Sequence, residues 1–327
     1  MNRPLISVVL ETVTPQTSVA GGSIADRLAE PLAALAAQTW PQHLIEPVVV
    51  VGGEVPAAER DEIARRYPQV VLASSAPDNY FDAKNQGASA GSGEIVTFLD
   101  GDCTPRPDWL EKLIDRFEDG VTAVAGCVRY EDKGVLARAL SVPDFGYILT
   151  ERDGLASGFN LGNVAFRRDE FLANPLDARI IRNGGCYNLF HQLRAKGARI
   201  VYEPEARVSH ALDFQGLGFF KKHWARGYEG LKVYRLDESG TFRGTGWYKR
   251  FGPLALVALG GRRILVDWVR LARHRKQIGV SLHALPVYAA LGASLRIVEL
   301  AGSIAASLKP MRPHSAAARP GLSGKSS

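Results

Sequence analysis

Residues 93–113 read GEIVTFLDGDCTPRPDWLEKL. The run Ile95–Leu99 is apolar on both faces, the pattern of a strand buried inside a sheet. It ends in two carboxylates, Asp100 and Asp102, separated by one glycine. Side chains at i and i+2 of an extended chain point the same way. Two carboxylates converging at a strand end repel unless a cation or ligand neutralises them. Hard divalent ions such as Mg²⁺ or Mn²⁺ take oxygen ligands and keep phosphate oxygens as co-ligands. A plain turn competes with this reading, because Asp-Gly is a common reversal signal. A calcium loop does not. Asp100, Asp102, Thr104 and Glu111 fit EF-hand positions 1, 3, 5 and 12, but Pro105 stands where that loop needs glycine. A β-like run, not a helix, also precedes it.

The flanking chain alternates in type. Leu5–Leu10, Pro47–Val51, Val70–Leu72, Ile95–Leu99 and Val121–Val128 read as strands. Ser23–Ala37, Ala57–Arg66, Phe81–Ala90 and Pro107–Phe117 read as helices, the last opened by proline with Asp108 and Glu111 in its first turn. This alternation predicts an α/β fold with a mostly parallel sheet flanked by helices. Ligands on such sheets bind beyond the carboxyl ends of the strands, where Asp100 and Asp102 lie. The segment 140–182 is irregular and holds the glycine-bearing stretch SGFNLGNVAFRR (157–168). Asn183–Ala195 follows as a helix, Arg199–Tyr202 as a strand, and Phe214–Leu236 as a long helix.

The chain has 327 residues, 46% of them hydrophobic, enough for a full α/β core plus a smaller appendage. Three scattered cysteines with no CxxC argue against a disulfide scaffold or a zinc site and fit a reducing cytosol. Leu5–Leu10 is too short for the apolar region of a secretory signal. The net charge of +6 hides an asymmetry. From Gly246 onward 13 Lys and Arg face two acids, a net of +11, which leaves −5 for residues 1–245. An acidic body with a basic, apolar tail is unlike a nucleic-acid binder and suits a domain resting on an anionic membrane surface.

The tail predicts helices. GPLALVALGGRRILVDWV (252–269) is split by Arg262-Arg263. LPVYAALGASLRIVELAGSIAASL (285–308) is long enough to span a bilayer. Arg296 and Glu299 sit in its middle, where each charge costs about 2.5–3.5 kcal/mol on insertion scales. Three residues apart, they are placed to pair. The expected arrangement is two amphipathic helices lying in the interface; a hairpin packed on the protein or mediating dimers is the alternative. The composition of 310–327 predicts a disordered tail. The expected organisation is a domain over 1–245, an apolar, basic helical extension over 246–309, and the tail.

ISVVLETVTP (6–15), DAKNQGASAGSGEIVTFLDGD (82–102), NVAFRR (163–168) and YEPEARVSH (202–210) together resemble the family two glycosyltransferases of GT-A (Rossmann-like) fold. The resemblance covers roughly residues 4–235. It implies a nucleotide-sugar donor, a divalent Mn²⁺ or Mg²⁺ ion, and inverting transfer to an acceptor hydroxyl. Asp102 matches the last aspartate of the family's DxD motif, which binds the metal, and Asp100 the first, which faces the ribose. Glu11 matches the base-contacting end of the first strand. Lys84 and Asn85 match a basic-Asn pair near base and ribose, in a first helical turn whose N–H groups point outward. Asp82 is either a donor ligand or an N-cap. His210 matches a late histidine that completes the metal site. Arg226 suits the diphosphate, or, with Lys221 and Lys222, a solvated or lipid-facing side of the helix. Asn163 is expected on the acceptor side.

Two departures stand out. The second strand ends in VVVVGGEVP (48–56), without the family's aspartate. The catalytic Glu-Asp pair aligns with Gly185-Cys186 in RNGGCYNLFHQLRAKG (182–197), and a thiol is a poor base for a sugar hydroxyl. Asp144, Asp153 and Asp177 are the alternative bases, a retaining mechanism a second explanation, and a non-catalytic nucleotide-sugar-binding or scaffold protein at the membrane a third. A nucleotidyltransferase is disfavoured, since ETVTPQTSVAGGS (11–23) offers no basic phosphate loop. The expected function is metal-dependent transfer of a sugar, from a UDP-sugar by first expectation, to a cell-envelope glycan or lipid-linked acceptor. The expected place is the cytoplasmic face of the plasma membrane, with the protein peripheral.

Overall fold

A computed structural model describes residues 3–12, 22–76, 79–130, 134–146, 154–211, 217–237, 240 and 242–309. Asp153 and the 310–327 tail lie outside the described residues.

Eight strands form one sheet in the order β3-β2-β1-β4-β7-β6-β8-β5. β1 (Ile6–Glu11) is buried at every position and pairs in parallel with β2 (Ile45–Gly52) and β4 (Ile95–Asp100). β3 (Val71–Ser75) continues that parallel half. Alternate residues of β1 feed opposite cores: Ile6, Val8 and Leu10 on one face, Val9 on the other. Buried on both sides, the central strands read as continuous apolar runs. The register sets Glu11 beside Asp100 at the shared carboxyl edge.

The second half departs from simple alternation. β7 (Val164–Arg167) inserts antiparallel between β4 and β6 (Val121–Tyr130). β8 (Arg199–His210) runs parallel to β6 far beyond Tyr202. Its register jumps from Gly126↔Glu203 to Cys127↔Arg207, so Pro204 falls in a bulge, where its missing N–H is tolerated. The short β5 (Cys103–Pro105) then pairs antiparallel with the end of β8, Cys103 opposite His210.

The expected helix over Ser23–Ala37 is two pieces, α1 (Ile24–Arg27) and α2 (Ala29–Ala36). Pro31 lacks the N–H that would bond Arg27, and its ring crowds that carbonyl. Ser23 and Asp26 close a capping box at the start. α3 (Ala57–Arg66) and α4 (Tyr80–Ala90) follow, and α5 (Trp109–Ile114) begins only after Asp108. The irregular segment contains α6 (Val135–Phe145), β7 and α7 (Arg168–Ala173). α8 (Gly185–Ala195) starts from Gly184, whose φ of 96° lies in the left-handed region that favours glycine.

Four helices close the chain: α9 (Gly218–Leu236), α10 (Arg243–Phe251), α11 (Pro253–Ile278) and α12 (Leu285–Ser307). α12 lies against α9, α6 and α11. At its crossing with α9 there is no room for side chains. A Cβ on Gly227 would stand 1.8 Å from the Glu299 carbonyl oxygen, and one on Gly302 2.3 Å from that of Trp224. The fold is a mostly parallel sheet flanked by helices, with a C-terminal helical extension laid against it.

Candidate active site

The carboxyl ends of β1, β4 and β8 converge on one edge. Lys84, in the second turn of α4, is wholly buried, and its Nζ reaches 2.8 Å from Asp100 Oδ1 and 3.3 Å from the Leu99 carbonyl. Tyr80, four residues earlier on the same helix face, donates its hydroxyl to the same oxygen at 2.8 Å. Burial pushes the Asp100 carboxyl up, but Lys84, Tyr80 and His210 outweigh it and hold it below the ordinary 3.8. Asp100 Oδ2 faces Gly162, where a Cβ would approach to 2.7 Å, so the loop before β7 needs glycine there.

Asp102 stands in the turn just beyond. Its Oδ2 lies 3.5 Å from His210 Nε2, brought there by the β5–β8 pairing. His210 Nδ1 sits 2.7 Å from the Ala211 carbonyl oxygen, which fixes the ring and leaves Nε2 turned to Asp102. Ligand atoms of Asp102, Cys103 and His210 all lie within 4.8 Å of one another. Burial, with Asp102 and Asp100 nearby, pushes the Cys103 thiol up. A carboxylate, an imidazole and this thiol are a donor set able to hold a divalent ion.

The other candidates are each engaged by neighbouring groups of the fold. Asn79, not Asp82, caps α4; the Asp82 carboxylate accepts from the Ala76 N–H at 2.7 Å. The Asn85 side chain clasps the Leu176 backbone from both ends, at 2.9 and 3.0 Å. Asn163 is wholly buried, accepting from the Trp109 indole at 2.8 Å and donating to the Cys127 and Ala206 carbonyls. Asp177 is engaged by Arg179. Arg226 meets Asp144 at 2.5 Å.

Asp144 and Arg226 belong to a buried ionic cluster that sequence reasoning did not find. Asp144 also accepts from Tyr130 and lies near Lys222 and His223. His223 Nδ1 is 2.7 Å from Glu299 Oε1. Arg296 bonds Glu299 at 2.7 Å, Asp267 at 2.6 Å and the Pro143 carbonyl at 2.9 Å. Burial pushes Asp144 up, but Arg226, Lys222 and His223 hold it far below the carboxylate range. Tyr130 meets the His210 ring edge-on and Phe145 meets it at a tilt, so the cluster adjoins the Asp102–His210 pair. The Arg296–Glu299 spacing was the one visible sign of it.

Gly185 and Cys186 open α8. Phe81 fills the space where a Gly185 side chain would stand. Burial pushes the Cys186 thiol up to about 11, so it is protonated at neutral pH. On the same helix end, Asn183 donates to Glu229 of α9 at 2.7 Å.

Residues 23–173 match the family model "Glycosyl transferase family 2". The glucosyl-dolichyl phosphate glucuronosyltransferase of Haloferax volcanii is 27% identical over 208 residues, 57% of this chain and 65% of that protein. The succinoglycan biosynthesis protein ExoM of Rhizobium meliloti is 27% identical over 55% of this chain and 62% of its own length. The chain therefore spans somewhat under two thirds of these relatives. The structure of mannosyltransferase PcManGT from Pyrobaculum calidifontis, in complex with GDP-Man and Mn²⁺, superposes with a TM-score of 0.60 at 15% identity, over 93% of this chain and 88% of that one. The likeness is of fold.

Proposed function

We propose that this chain, a family two glycosyltransferase of GT-A fold, moves a sugar from a nucleoside diphosphate to a cell-envelope glycan or lipid-linked acceptor in a metal-dependent, inverting reaction. The observation that carries the reading is the Asp102–His210 pair, 3.5 Å apart at the carboxyl edge, beside an Asp100 already neutralised by Lys84. Asp102 and His210 would hold the ion. A bound Mn²⁺ or Mg²⁺ offsets the charge that develops on a leaving diphosphate. Asp100, fixed by Lys84 and Tyr80, is a preorganised acceptor for a ribose hydroxyl, and Glu11 next to it borders the base.

A UDP-sugar is the expected donor, with a GDP-sugar the competitor that the PcManGT complex brings forward. The dolichyl phosphate in the name of the Haloferax relative supports a lipid-linked acceptor. Residues 1–245 form the transferase domain in this reading, and 246–309 associate peripherally with the cytoplasmic face of the plasma membrane.

A second reading is favoured by one observation: glycine and a protonated thiol open α8 where the family places its acidic pair. On that reading the chain binds nucleotide sugars as a membrane scaffold without turnover. Calorimetric titration with UDP, GDP, dTDP and CDP, with Mn²⁺ and with EDTA, tests the donor site. Metal-dependent binding of one nucleotide is expected; no binding to any of them refutes the transferase reading. Sugar release from the matching donor then separates enzyme from scaffold.

A further inference from the structure

Resting on the membrane reading above, we propose that α10–α12 form a platform that lies in the plane of an anionic bilayer, with α12 held flush on the protein body and not crossing the membrane. By length and composition, Leu282–Ser307 is the one stretch among the described residues able to cross. Its surroundings argue otherwise. α12 is inside out. Its charges, Arg296 and Glu299, face the protein and are buried among Asp267, His223 and Arg226. Its outer stripe, at helical spacing, carries Val287, Leu291 and Ile297 in the open and no charged residue. A water-facing helix has the reverse polarity. Ionisable groups turned inward and apolar groups turned outward are what a hydrocarbon surface selects.

The helix also touches the body along its whole length. Tyr288 near its start packs with Ala139 and Val142 of α6. Ala306 near its end packs with Leu231 of α9, and the Gly227–Gly302 crossing sits between. A helix bound to a water-soluble sheet domain at both ends cannot also thread a bilayer. Insertion would strip Arg296 of Asp267 and the Pro143 carbonyl, and Glu299 of His223 and Arg226, leaving buried charges with only each other.

The neighbouring helices continue the face. Leu254, Leu265 and Trp268 of α11 are exposed. So are Trp247 and Phe251 of α10, the aromatic types that settle at headgroup level. Among the described residues, twelve of the seventeen exposed large hydrophobics lie from Trp247 onward. Arg250, Arg262, Arg273 and Lys276 are exposed around them. An apolar face rimmed by cations matches anionic lipid, whose surface charge attracts each basic residue near it. A second copy of the chain would bring the same cations together.

The test is flotation of the full chain with phosphatidylcholine vesicles, with and without phosphatidylglycerol. Binding is expected to require phosphatidylglycerol and to weaken with salt. The double variant Leu291→Glu/Ile297→Glu, both positions on the open stripe, is expected to lose about a hundred-fold in partitioning, one decade or more per buried side chain. Its Mn²⁺-dependent nucleotide binding should stay as in the parent chain. Protease added outside sealed vesicles should remove a C-terminal tag completely. Full partitioning of the variant, a protected tag, or a stable dimer that ignores vesicles would each overturn the platform. Flotation without nucleotide binding would sink the transferase reading alone.

Discussion

Lys84 Nζ and Asp100 Oδ1 lie 2.8 Å apart with the lysine side chain wholly enclosed. The chain thereby neutralises one of its two strand-end carboxylates with its own cation. Lys84→Met leaves Asp100 a half-buried anion with the Tyr80 hydroxyl and the more distant His210 as its support. A loss of about 3–5 kcal/mol in stability is expected, read by urea unfolding, together with loss of nucleotide binding. A variant as stable as the parent would show that the pair does not hold the site together.

On the proposed metal reading, Asp102 and His210 are the groups left to face an ion. Asp102→Asn and His210→Ala should keep the parent's thermal midpoint to within a few degrees yet abolish the Mn²⁺ dependence of nucleotide binding. EDTA should have the same effect on the parent. Nucleotide affinity that ignores both substitutions and the chelator would remove the metal from this edge.

Asn163 was expected beside the acceptor, but its side chain ties three segments together. Asn163→Ala strands the Trp109 indole N–H and two carbonyls in the interior. Each unmet group costs about 1–3 kcal/mol. The effect should therefore appear as a lower unfolding midpoint, with KM for the acceptor unchanged in whatever folds. A raised KM at unchanged stability would restore the acceptor role.

Burial alone would raise the Glu299 carboxyl, but Arg296, His223, Arg263 and Arg226 outweigh it and hold it well below its ordinary 4.5. A carboxyl depressed by folding adds stability above its unfolded value, and that stability is lost as pH falls below it toward the folded value. Asp144 behaves alike, from an ordinary 3.8. Thermal midpoints should hold above about pH 5 and drop steadily below. Glu299→Gln should be less stable at neutral pH by about 3 kcal/mol and show a shallower acid decline. An identical acid slope would exonerate Glu299.

What the sequence disclosed followed local pattern. β1 and β4 are apolar without interruption because both faces are covered, so they and the carboxylates that end β4 could be read directly. β7 could not. Four residues after a glycine-rich loop carry too little periodicity, and nothing local encodes insertion between β4 and β6. The limit was the same at the site. Asp82, Asn85 and Asn163 are polar types equally suited to ligands and to backbone clasps, and only the tertiary partners distinguish the two. Tyr80 lay one turn from Lys84, the one legible hint that it shares Asp100. Asp144, His223, Asp267 and Glu299 meet only because four separate helices cross.

On the proposed metal reading, the pairing of Cys103 with His210 fixes when the ion-binding edge can exist during synthesis. Asp102 leaves the ribosome early, on the parallel half of the sheet, whereas His210 arrives at the end of a strand that must first dock along β6 and bulge at Pro204. Non-local strand closure of this kind forms late. A nascent chain stopped before β8 therefore carries a motif that looks complete and grips no metal. An ion needing both side chains rewards only the finished structure, adding stability in proportion to its free concentration. Such an ion is a seal on folding, not a seed for it.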